Sequence, residues 1–260
     1  MRKAYGRVAP SQRVDLTVVG ASSRYLAPLG AGSSYLVTEG ETRILLDCGN
    51  GTSIRLGHEI GAAPLSAVVV SHFHLDTVAD LFPVAKALPL STPVFVPEGA
   101  RPKLQQLMRV YGIDRSTRER TLIEGVSRAS VKDVGPLRLT FERSAHGCPG
   151  VAVRIASRAT GEALVYLSDT GARPWLVDFA RDADLLVAHT LHLDGDRGRA
   201  TRHNLTAGAA GRLAREAHVR RLALSHIPFY GNAEASHAEA KAQFGGETLV
   251  LHEGQRVTVR

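Results

Sequence analysis

The sequence predicts an α/β protein in which two central mixed β-sheets are covered on their outer faces by helices. Short runs of branched apolar residues recur along the whole chain, and longer segments between them show helical apolar spacing. The early strands meet through tight turns, whereas the later ones alternate with helices. Strands are expected at 14–20, 33–38 and 42–47, the last two joined by Glu39-Gly40-Glu41, a turn glycine tolerates well. A helix at 53–60 leads to the apolar strand 67–71, then a helix at 77–87, a strand at 93–96 and a helix at 101–111. The polar stretch 115–132 shows neither period and is expected to be a mobile segment able to cover a site. Strands at 137–145, 151–157 and 163–168 follow. After them, strands at 184–188, 221–225 and 248–251 alternate with helices at 174–180, 206–218 and 233–244, before a last strand at 256–259.

Composition sets the class. At 260 residues the chain is expected to form a single domain over 1–260 with a full core. No apolar run approaches the ~18 residues that span a bilayer, so no membrane partner is expected. Met1-Arg2-Lys3-Ala4-Tyr5-Gly6 carries charge without an apolar stretch behind it, which predicts no secretion signal. Cys48 and Cys148 lack C-x-x-C spacing, and a cytoplasmic, reduced protein is the simplest expectation. Cys48 is expected to pack beneath a site and Cys148 to line its rim. The net charge of +7 comes mostly from arginine. Its clusters (Arg115, Arg118 and Arg120; Arg197, Arg199 and Arg202) are short and lack interleaved aromatics, so a small anion is a better partner than a nucleic acid.

The densest chemistry lies in Ser71-His72-Phe73-His74-Leu75-Asp76-Thr77, directly after the apolar run Ala67-Val68-Val69-Val70. Alternate residues of an extended chain share a side, so His72, His74 and Asp76 can converge. Imidazole and carboxylate together suit zinc, iron or manganese. His146 in Ser144-Ala145-His146-Gly147, Asp169 in Leu167-Ser168-Asp169-Thr170-Gly171 and His226 in Leu224-Ser225-His226-Ile227-Pro228 each follow an apolar strand in the same way. One sheet edge would therefore collect them all. A phosphate-loop reading of Leu29-Gly30-Ala31-Gly32-Ser33-Ser34 fails, because no lysine follows and a strand comes next. Arg24, just upstream, is a weak candidate for meeting an anion.

The order H-x-H-x-D, His, S-D-T-G, S-H-I-P resembles that of metallo-β-lactamase-fold hydrolases, in the branch holding ribonuclease Z and small cyclic phosphodiesterases. Leu16-Thr17-Val18-Val19-Gly20, Ile44-Leu45-Leu46-Asp47-Cys48-Gly49-Asn50-Gly51 and the segment from Leu205-Thr206-Ala207-Gly208 to His226 extend the resemblance over roughly 14–259. It implies an αββα sandwich and a divalent metal, zinc first and iron or manganese as alternatives, in one or two copies. It further implies that His72, His74 and His146 hold one ion, with Asp169 bridging to a second ion bound by Asp76 and His226. Asp47, in the turn motif, is expected to fix loop hydrogen bonds. Homodimers are common in the family, so a homodimer is a possible assembly.

Three departures accompany the resemblance. Thr77 stands where relatives carry a further histidine ligand, His189 where they carry a glutamate, and Asn204 where they carry a proton-donating histidine. His189 either fills the gap at Thr77 or makes a supporting hydrogen bond to another ligand. If a single ion is held, Asp76 and His226 are available as base and acid. His203 is a substitute donor for Asn204, although one residue along a helix start turns a side chain by ~100°. His58, His218, His237 and His252 are expected on solvated surfaces, and His192 and Asp194 in a plain loop role. Only 22 residues separate His146 from Asp169 and 56 separate Asp169 from His226, which leaves no room for a transfer-RNA-gripping arm. The expected activity is metal-dependent hydrolysis of a small phosphodiester by metal-activated water, a cyclic nucleotide being the first candidate. The alternatives are a lactone, thioester or other ester hydrolase or a biosynthetic tailoring enzyme, and a protein that binds metal or ligand without turnover.

Overall fold

Alternation along the strands sorts the apolar residues into three layers. The structure, a computed structural model, describes residues 12–23, 30–61, 63–89, 91–116, 121–196, 202–228 and 231–260. The first sheet contains β1 (Asp15–Gly20), β2 (Ser34–Glu39), β3 (Thr42–Leu46), β4 (Ala67–Val69), β5 (Pro93–Pro97) and β6 (Leu122–Val126). The second contains β7 (Val131–Val134), β8 (Leu137–Arg143), β9 (Val151–Ser157), β10 (Ala163–Tyr166), β11 (Leu185–His192), β13 (Arg221–Ser225) and β14 (Glu247–Val250), with β12 (Leu205–Thr206) paired to β11. The last strand, β15 (Arg256–Thr258), returns to the first sheet, giving the order β15-β1-β2-β3-β4-β5-β6 against β14-β13-β11-β10-β9-β8-β7.

Leu16, Val18, Tyr35, Val37, Ile44 and Leu46 of the first sheet face Leu139, Phe141, Val153, Ile155, Leu164 and Tyr166 of the second, and together they form the middle layer. The opposite faces are also apolar, as expected of strands buried on both sides. Val19, Leu45, Val68 and Val94 pack under α1 (Thr52–Ile60), α3 (Leu81–Ala87) and α4 (Arg101–Val110). Val165, Leu186, Leu222 and Leu224 pack under α5 (Pro174–Ala180), α6 (Ala207–Glu216) and α7 (Ala233–Phe244). The fold is therefore the αββα sandwich that the sequence predicts. Each sheet is mixed. In the first, β3, β4, β5 and β6 run parallel, and in the second so do β10, β11, β13 and β14. No helix among the described residues is long and apolar enough to cross a membrane.

Three expectations need correction. The supposedly mobile segment 115–132 instead contains β6 and the start of β7. β6 pairs in parallel with β5 and β7 antiparallel with β8, each at the edge of its sheet, where charged residues reach water without breaking the ladder. The single helix expected at 77–87 is broken into α2 (Leu75–Val78) and α3. At the break, Asp80 Oδ2 accepts hydrogen bonds from the Ser53 amide and hydroxyl at the start of α1. Finally, the strand expected to stop at 188 runs on to His192, which places His189 inside β11.

Candidate metal centre

The parallel strands deliver their carboxyl ends to one rim shared by the two sheets, and three of those ends turn sharply. Asp47 after β3, Ser168 after β10 and His226 after β13 have φ of 58°, 54° and 62°. This left-handed conformation costs a non-glycine residue roughly 1–2 kcal/mol, so neighbours must hold it. They do so across the sheets. Asp47 accepts from the Ser71 amide (2.7 Å), the Ser71 hydroxyl (2.7 Å) and the Tyr166 hydroxyl (2.6 Å), and Ser71 Oγ lies 2.7 Å from Ser168 Oγ. Gly49 completes the support. A Cβ there would lie 2.3 Å from the Asp76 carbonyl oxygen, so only glycine lets this turn pack under the Asp76 loop.

On this frame His72 Nε2 and His146 Nε2 each lie 3.2 Å from His74 Nδ1, and the three rings meet edge to face. Asp169 Oδ2 closes the group at 4.0 Å from His72 Nε2 and 3.8 Å from His146 Nε2. Each ring has its other nitrogen engaged on the outside. His146 Nδ1 donates to the His203 carbonyl oxygen (2.7 Å), His72 Nδ1 lies 3.0 Å from Ser71 Oγ, and His74 Nε2 lies 3.8 Å from Cys148 Sγ. The inward nitrogens are then lone-pair donors. Burial pushes the pKa of His72 down to about 3, which keeps that ring neutral. With one donor atom from each residue, the four lie within 4.8 Å of one another. Converging lone pairs repel unless a cation lies among them, so this donor set fits a divalent ion.

A second group shares Asp169. Its Oδ1 lies 2.9 Å from His189 Nδ1 and 3.6 Å from His226 Nε2, and Asp76 Oδ2 lies 3.3 Å from the same His226 nitrogen. The His189 and His226 rings stack at 4.4 Å, 3° from parallel. His189 Nε2 meets the hydroxyls of Tyr35 (3.0 Å) and Tyr166 (3.1 Å), while His226 Nδ1 meets Ser33 Oγ (2.7 Å). Burial opposes ionisation of Asp169, but His226, His189 and His72, when they carry protons toward it, hold its carboxyl well below the usual range. Asp47 lacks such neighbours, and burial raises it to about 7.

His72, His74, Asp76, His146, Asp169, His189 and His226 are thus all brought together. Thr77 is turned away from them, its hydroxyl donating to the carbonyls of His72 and His74 (2.9 Å each). His203 is exposed at the rim with its ring 6.3 Å from that of His146, and Asn204 is buried behind it. Cys48 is fully buried and Cys148 half-buried at the rim, as expected. Asp194 is occupied by Arg212 (2.6 Å) and by the Thr206 hydroxyl, a structural role. Arg24, Arg118, Arg120, Arg197 and Arg199 lie outside the described residues. Sequence reasoning missed Tyr35, Tyr166, Ser71 and Ser168 as supports of the site. A tyrosine facing the interior of a sandwich needs a polar partner, and that was the available signal.

An αββα sandwich that gathers imidazoles and carboxylates at the joined rim of its two sheets defines a class, the metal-dependent hydrolases. The β-lactamase superfamily domain matches residues 42–227, and this chain belongs to that superfamily. It is 29% identical over 249 residues to the probable metallo-hydrolase YhfI of Bacillus subtilis, covering 93% of this chain and 98% of YhfI. It is also 28% identical over 304 residues to a ribonuclease Z of Haloferax volcanii, covering 94% of each. The crystal structure of YhfI, described as a metallo-β-lactamase-fold protein, superposes with a TM-score of 0.83 at 26% identity, covering 94% of this chain and 99% of YhfI. The short form of human tRNase Z shares the fold at 17% identity and a TM-score of 0.75, covering 95% and 99%.

Proposed function

We propose that this metal-dependent hydrolase cleaves a small phosphodiester, with a cyclic nucleotide as the first candidate. One observation carries the reading: the carboxylate of Asp169 presents one oxygen to the three-histidine group and the other to the His226 group. That concentrates binding power for positive charge beside an exposed rim, on a chain with a net charge of +7, which suits an anionic substrate. His72, His74, His146 and Asp169 would hold the ion, zinc first, and a divalent ion there would make water acidic near pH ~7 and supply Lewis-acid polarisation of the oxygen under attack.

The remaining residues handle protons. Asp76 is buried beside His226 and is placed to orient the attacking water and accept its proton at a carboxylate oxygen. His226 Nε2 lies 3.3 Å from Asp76 Oδ2, within reach of the same proton. His203, exposed next to His146, can donate a ring proton to the leaving oxygen, whereas the Asn204 amide cannot act as an acid near neutral pH. Asn204 offers no acid at this position, which supports a second reading, hydrolysis of a lactone, thioester or activated ester, whose leaving group needs less help.

The test is a substrate panel run with zinc, manganese or iron added. Turnover of bis(p-nitrophenyl) phosphate and a cyclic nucleotide is expected, falling about a thousand-fold in Asp169→Ala, since an ion of this kind supplies several kcal/mol of transition-state stabilisation. Turnover confined to lactones or thioesters would replace the first reading with the second. Selective cleavage of a precursor transfer RNA would overturn the small-substrate assignment.

A further inference from the structure

We infer that His189 Nδ1 is a direct donor to the second cation that the family resemblance implies, beside Asp169 Oδ1, His226 Nε2 and Asp76 Oδ2, in place of the ligand missing at Thr77. This rests on the metal-dependent reading above and extends it. The argument turns on where protons lie. With Asp47 ionised, Tyr166 donates its one hydroxyl proton to Asp47 Oδ2 at 2.6 Å, so its oxygen accepts from His189 Nε2, 3.1 Å away. His189 Nε2 therefore carries the hydrogen. The Tyr35 hydroxyl, 3.0 Å from the same nitrogen, can direct its own proton to Ser225 Oγ at 2.7 Å.

A neutral imidazole protonated at Nε2 has a bare lone pair at Nδ1. In His189 that lone pair faces Asp169 Oδ1 at 2.9 Å, an acceptor against an acceptor. Such a pair repels unless positive charge lies beside it. His226 brings a second ring nitrogen to the same carboxylates. Its ring lies flat on that of His189 with Nε2 3.6 Å from Asp169 Oδ1 and 3.3 Å from Asp76 Oδ2. All four residues are at most 5% exposed, so water does little to neutralise the two carboxylates. Thr77 cannot contribute, because its hydroxyl is committed to two backbone carbonyls. A cation in this place would occupy His226 Nε2 and Asp76 Oδ2, leaving Asp76 Oδ1 to accept the water's proton and His203 at the rim as the donor to the leaving oxygen.

The competing role for His189 is that of an imidazolium donating Nδ1–H to Asp169. Two substitutions separate the roles. His189→Gln keeps an N–H donor but no imidazole lone pair, whereas His189→Glu supplies a carboxylate oxygen and cannot donate when ionised. Metal-free full-length protein is titrated with Co²⁺, followed by calorimetry and visible absorption. The expected result is two equivalents in the natural protein and two in His189→Glu. His189→Gln should take one equivalent, its second weakened beyond about 100-fold, the upper end for a residue that only supports a ligand. Filling of the first equivalent with unchanged affinity shows in each variant that the fold is intact. One equivalent in the natural protein, or two in His189→Gln at near-natural affinity, overturns the inference. No uptake by the natural protein would remove the three-histidine site itself, and the proposed function with it.

Discussion

Asp47 is fully buried between the sheets, and the residues that contact it join two strands of one sheet to the other. Its carboxyl is raised from 3.8 to about 7, chiefly by burial. Between those values the native chain keeps a proton that the unfolded chain releases, so this residue's contribution to stability falls as pH rises from about 4 to about 7. Asp47→Asn, which tolerates the left-handed backbone, lacks that dependence. Urea midpoints of metal-free protein should therefore shift in favour of the variant across this window and level off above it. A pH-independent difference would refute the assignment. Individual residues were unevenly legible in the sequence. His72, His74, His146, Asp169 and His226 stood out because each breaks an apolar run with a metal-binding group. Tyr35 and Tyr166 did not, since an aromatic within a strand reads as core, and only the fold turns their hydroxyls toward His189.

At the scale of elements, apolar strands buried on both faces were readable from their continuous apolar runs, and β6 and β7 were not. Leu122-Ile123-Glu124-Gly125-Val126 and Val131-Lys132-Asp133-Val134 mix charge with apolar residues because each pairs on one side and meets solvent on the other. Helix ends carry a second lesson. After α6, the amides of His218 and Val219 donate to the carbonyls of Arg215 and Ala214, and the exposed His218 takes φ 54° to close that turn. Glycine is the residue suited to this position. His218→Gly should raise stability by about 1 kcal/mol, read as a higher urea midpoint with an unchanged slope. A lower midpoint would mean that the imidazole makes a contact worth more than the backbone relief.

Over the whole molecule, an ion at the three-histidine site would be bound by groups from both sheets, His72 and His74 following β4 and His146 and Asp169 following β8 and β10. Binding confined to the native state adds about 2.7 kcal/mol at a hundredfold excess over Kd. For a chain of this size that is roughly 5–11 °C in Tm. Chelation should lower the melting temperature by that amount in a single transition, since the middle layer draws on both sheets, and zinc should restore it. An unchanged melt would argue against a bound ion that joins them. The return of β15 to pair with β1, Asp15 opposite Thr258, bears on how a ribosome makes this protein. The outer edge of β1 stays open until β15 follows, roughly 12–50 s later at about 5–20 residues per second. For that interval the nascent chain offers an unpaired apolar strand to anything nearby, so translation speed and chaperone capture, more than equilibrium stability, would govern how much of it reaches the native state.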